Sequence, residues 1–186
     1  MSVDLLEQAF ASTAGVLAKV QTDQLDDPTP CASWNVRELI NHIVGGTHFF
    51  AGIAETGGVP EGGGTPPDFS AGDFNAAFAS GAQAAVAAFR APGVMEKTMK
   101  LPFGEFPGSV FVMIAATDTY AHGWDLAKAL GESTDLDPAI ASAILGAAMI
   151  PDQFRGPEGA PFGPIVEVDA SACPADRAAG YLGRQP

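Results

Sequence analysis

The sequence predicts an all-α fold: a four-helix bundle with an extra helix and a short irregular C-terminal segment. Two observations carry this. Four long stretches place apolar residues at steps of three and four, the period of a helix with one buried face. The connections after the second and third stretches are long and lack that period. A third observation is length: 186 residues, 47% of them hydrophobic and 17% charged, suit one well-buried core and are short for two, so residues 1–186 are expected to form a single domain.

The first helix is expected from Val3 to about Asp23, with Leu6, Phe10, Leu17 and Val20 at helical spacing. "DDPTPCASW" breaks the pattern with two prolines. The second helix starts at "NVRE", where Asn35 can cap the free amides and Glu38, three residues on, can reach back to the Asn35 amide. It stops at Gly57 and Gly58. "GGVPEGGGTPPDFSAGD" reads as an exposed loop. A third helix follows from about Asp73 to Arg90. "VMEKTMKLPFGEFPGS" alternates weakly around "PFGE" and is read as an extended connection or small hairpin. The fourth helix covers roughly Ser109 to Leu130, and the extra one runs from the Asp137–Pro138 cap to about Met149. A short final helix is expected in "PADRAAGYLGR".

Composition excludes several partners. Nine Lys and Arg stand against 22 Asp and Glu, a formal charge of −13, and the basic residues are scattered. Nucleic acid and anionic membrane surfaces both require clustered positive charge. The N-terminus shows no secretory signal, and no run of about 18 apolar residues predicts a membrane span, so the protein is expected to be cytoplasmic. Cys31 and Cys173 suggest no disulfide framework, and Cys31 is read as a small buried thiol rather than a reactive one.

The chemistry stands on buried faces. On the fourth helix Phe111, Ile114, Ala115, Asp118, His122, Asp125 and Ala129 share one face, apolar at first and then carrying three polar groups. A buried carboxylate without a partner costs several kcal/mol, so these groups need partners. A divalent cation is one, and Asp118 and His122, four apart on a helix, can both point at it. The second helix offers His42, with Gly45 and Gly46 one turn beyond; a metal, a cofactor or a close helix crossing would each explain those glycines. The alternative is a polar network in which Asp118 and His122 satisfy each other and nearby backbone. Asp125 is read as an acceptor for an imidazole N–H, a salt-bridge partner for Arg37, or itself a ligand. His48 is read as a polar edge residue, and Trp124 as packing.

"TPCASWNVRELINHIVGG", "DTYAHGWDLAKALG" and "FGPIVEVDASACPADRAAGYLGRQP", in that order, resemble the actinobacterial metal-binding proteins related to mycothiol-dependent maleylpyruvate isomerase, within the wider DinB-like group of four-helix bundles. The resemblance implies metal ligands at His42, Asp118 and His122. The isomerase-like relatives have Glu where Asp118 stands, and other DinB-like proteins use three histidines. It also implies a divalent metal, zinc first and nickel second, and a metal-dependent transferase joining a low-molecular-weight thiol such as mycothiol to an electrophilic small molecule. Arg37 would orient the thiol cofactor and Asp125 a ligand. The isomerases carry a further C-terminal domain that the residues after Gly131 do not match, so their particular reaction is not expected here. The rival expectation is a non-catalytic metal-binding or stress-response module; either would be a monomer or homodimer.

Overall fold

The computed structural model of the chain describes residues 2–59, 67–147, 150–156 and 162–186. Helix α1 spans Val3–Leu17, α2 Val36–Thr56, α3 Phe74–Arg90, α4 Gly108–Ala129, α5 Pro138–Ala147 and α6 Pro174–Tyr181. Strands β1, Thr98–Leu101, and β2, Gly104–Pro107, form an antiparallel hairpin pairing Thr98 with Pro107 and Leu101 with Gly104. The middle of the loop after α2 and the expected end of the fifth helix at Met149 lie outside the described residues.

Helices α1 and α2 each pack on both α3 and α4. The four therefore close a ring in the order α1, α3, α2, α4, with α1 diagonal to α2. Helices α5 and α6 pack on each other, α5 touching α1 and α6 touching α4. The core runs through Leu6, Phe10, Leu39, Ile40, Phe78, Phe89 and Phe111, all under 5% exposed.

Local chemistry sets the boundaries. The Asn35 side chain accepts from the Glu38 amide at 3.0 Å while Glu38 accepts from the Asn35 amide at 2.9 Å, so the expected capping box starts α2. Gly57, at φ +89°, ends that helix in the left-handed conformation. The first helix stops earlier than its apolar spacing suggests, at Leu17 rather than Asp23. Gln21 and Gln24 cap each other across a separate 3₁₀ turn, Thr22–Gln24, which redirects the chain. Asp73 caps α3, accepting from the Ala76 amide at 2.9 Å. Cys173 caps α6 through its sulfur, 3.4 Å from the Asp176 amide.

The second half of α4 departs from a one-faced helix. Every residue from Thr119 to Ala127 is buried, because α1, α2 and α6 surround this stretch. Trp124 is 1% exposed and its indole N–H donates to Asp176 at 2.9 Å, so it packs α6 onto α4. A stretch this buried leaves its polar residues little contact with bulk water, and each needs a partner inside the protein.

Candidate metal centre

His42 lies near the N-terminal end of α2, and Asp118 and His122 in the middle and second half of α4; the two helices are neighbours in the ring. One ligand atom from each of the three residues lies within 4.8 Å of the others. His42 Nε2 is 3.6 Å from Asp118 Oδ1, and His122 Nε2 is 3.7 Å from the same oxygen. Both separations are too long for a hydrogen bond. They suit donors arranged around a shared cation: bonds of about 2.1 Å in a tetrahedron put neighbouring ligand atoms roughly 3.4 Å apart.

The decisive atom is His42 Nε2, buried and without a hydrogen-bond partner among the described residues. Native interiors rarely leave such a group unsatisfied. The His42 ring is fixed by Trp34, whose centroid is 4.5 Å away, and by an edge-on contact with the His122 ring, also at 4.5 Å. Asp118 keeps 32% of its side chain exposed, so the cluster is open at one edge. Burial pushes the Asp118 carboxyl up, but His42, His122 and Arg184 outweigh it, and its pKa ends below the ordinary value.

Behind the cluster His122 Nδ1 meets Asp125 Oδ2 at 3.0 Å. With Nδ1–H donating to that carboxylate, the lone pair of His122 sits on Nε2, the atom facing Asp118. Asp125 has no exposed surface. Its partner is not Arg37. Arg184, from the turn after α6, donates through Nε to Oδ1 at 3.2 Å and through Nη2 to Oδ2 at 2.9 Å, a two-point clamp. Arg37 instead turns outward to Asp26 and Ser70, both at 3.5 Å. Burial raises the Asp125 pKa, but the His122 bond and the Arg184 charge prevail and hold it at about 2.

Cys31 closes this arrangement, with Sγ 3.3 Å from Asp125 Oδ2 and 3.8 Å from His122 Nδ1. Burial, then the charge of Asp125, push its thiol up to about 12, so it stays a protonated donor. His48 is apart from the cluster, exposed and stacked on Phe69 with ring centroids 5.5 Å apart. Arg184 and Trp34 are the residues that the helical spacing did not select. A fully buried carboxylate on an enclosed helix was the signal for Arg184, since it requires a cation from elsewhere in the chain.

An all-α bundle with two histidines and an aspartate brought together on facing helices defines the class: a DinB-like protein with a candidate metal-binding cluster. Residues 6–127 match the family described as mycothiol maleylpyruvate isomerase N-terminal domain, and the chain belongs to that family. Two Mycobacterium tuberculosis proteins, uncharacterized protein Rv0738 of strain H37Rv and uncharacterized protein MT0763 of strain CDC 1551 / Oshkosh, are each 42% identical to it over 184 residues. Each alignment covers 96% of this chain and 94% of the relative. No solved structure matches the chain. The family match ends at Ala127, so Arg184 lies beyond it, whereas the two relatives align over nearly the whole chain. No helix among the described residues is long and apolar enough to cross a membrane.

Proposed function

We propose that His42, Asp118 and His122 hold a divalent cation, and that the protein transfers a low-molecular-weight thiol such as mycothiol to an electrophilic small molecule. The observation that carries the metal is the orphaned His42 Nε2 facing Asp118 and His122. The family carries the thiol. Mixed imidazole and carboxylate donors suit zinc first and nickel second. The whole chain acts as one domain in this reading, because Arg184 near its end braces Asp125, and Asp125 braces His122.

His42, Asp118 and His122 would hold the cation, which would lower the pKa of a thiol brought to it. The protein's own groups do the rest. Asp125 fixes which nitrogen of His122 bears the proton, and Arg184 keeps Asp125 charged and immobile. Asp118 supplies a negative charge between the two imidazoles. Arg37, whose side-chain contacts among the described residues are both at 3.5 Å, would turn to polar groups of the thiol. In the transfer the sulfur electron pair forms the new S–C bond, the leaving group departs with the pair of the bond that breaks, and the thiol proton passes to solvent at the exposed edge.

Metal analysis of the purified protein beside His42→Ala and His122→Ala is the test. About one cation per wild-type chain and a loss in both variants is expected. Equal, negligible metal in all three would remove the proposal. With metal present, consumption of mycothiol against varied electrophiles separates the transferase from a non-catalytic metal-binding module, which would leave the thiol untouched.

A further inference from the structure

A cavity of about 360 Å³ opens beside α4 between Val110 and His122, with the β1–β2 hairpin on one side and α5 and residues soon after it on the other. Its wall is almost wholly apolar: Phe106, Val110 and Ile114 face Ile144, Phe154 and Phe162. Polar groups are gathered at one end, where Asp118, His122 and Arg184 line it. Arg184 is the one Lys or Arg among the described residues that line it, and its charge is already matched by Asp125. His42 does not line the cavity; it keeps 35% of its side chain exposed beyond it. The cavity therefore gives the cluster an apolar approach on the side of Asp118 and His122.

We propose that this cavity is the binding site of the electrophile, and that the electrophile is a small apolar molecule, aliphatic or aromatic, carrying its reactive carbon at the end that reaches Asp118 and His122. This rests on the transferase reading for the role of the ligand, though not for its chemical class. A volume of this size lies within the range of pockets that enclose drug-sized ligands. A sugar-bearing thiol would find almost no hydrogen-bond partners on these walls and would bury its hydroxyls at a cost, so the cavity does not suit it. An apolar molecule gains from burial against the same walls, and its reactive end is then brought to Asp118 and His122. Phe103, 52% exposed at the hairpin turn, stands at the cavity mouth, where a bound apolar molecule would cover it.

Calorimetric titration with straight-chain primary alcohols from butanol to octanol tests the assignment without using the reaction. It is run on the protein as purified and again after chelation. In both forms affinity should tighten about fourfold per added methylene until the cavity is full, with one alcohol bound per chain. Val110→Trp and Ala147→Phe fill the space from opposite walls, and each should abolish the chain-length dependence while keeping the helical circular dichroism of the wild type. Affinity independent of chain length, or an unchanged dependence in a folded filled variant, would overturn the proposal; the second variant decides should the first not fold. Since the alcohols need no metal, a protein that binds them but never metal would lose its transferase reading and retain an apolar-ligand site. One that binds metal but shows no chain-length dependence would do the reverse.

Discussion

Asp125 is the residue on which the cluster's order depends: it has no exposed surface and touches His122, Arg184 and Cys31 at once. Removing one partner of a buried ion pair leaves an uncompensated charge, which costs more than the pair itself contributes. Arg184→Met should therefore destabilise the protein by about 3 kcal/mol, read as a fall in the urea unfolding midpoint. The double variant Asp125→Asn with Arg184→Met should be less destabilised than the single one, because no charge is then stranded. A single variant within about 0.5 kcal/mol of wild type would show that Arg184 is dispensable. Asp118 and His122 were legible in the sequence because spacing within one helix fixes which side chains share a face. Arg184 was not. It lies 59 residues from Asp125, and no periodicity records which cation folds back onto a given carboxylate. Arg37, carried by the motif next to His42, was the natural choice and points elsewhere.

At the scale of elements, two close crossings position α2 and α4, and neither uses the glycines that the sequence brought forward. A methyl group at Gly81 of α3 would collide with Thr47 of α2, and one at Gly123 of α4 would meet Thr13 Oγ1 of α1 at 2.5 Å. At Gly45 the nearest atom, on Phe69, is 3.8 Å away, an ordinary contact. Gly81→Ala and Gly123→Ala should each lower stability by about 1 to 3 kcal/mol through overpacking. Gly45→Ala should raise it by up to about 1 kcal/mol, because alanine is the better helix former and has room. Thermal unfolding of the three variants decides, and a stabilised Gly81→Ala would contradict the crossing. The contrast explains what was legible in the fold. The Asn35–Glu38 box, the Gly57 stop and the hairpin at "PFGE" are local chemistry, written where they act. The ring order and the enclosure of α4 depend on which helix meets which, and a glycine's neighbours are known only once the helices have met.

Over the whole molecule the formal charge of −13 acts on anything that approaches the cluster. Near the site the charges almost cancel: Asp125 and Arg184 neutralise each other, and Asp118 is left beside two imidazoles. A divalent cation therefore feels two attractions, a short one from Asp118 that salt screens little, and a long one from the acidic surface that salt screens strongly. The Debye length falls from about 30 Å at 0.01 M to about 10 Å at 0.1 M ionic strength, the second shorter than a domain of this size is wide. Zinc affinity, measured by competition with a chelating dye, should weaken several-fold across that interval, and Asp118→Asn should weaken it further at both salt concentrations without altering the salt dependence. The separation follows from distance: removing a ligand changes the short interaction, and adding salt changes the long one. An affinity that did not move with salt would mean that the acidic surface has no hold on the cation, and that the cluster binds through Asp118 and the two histidines alone.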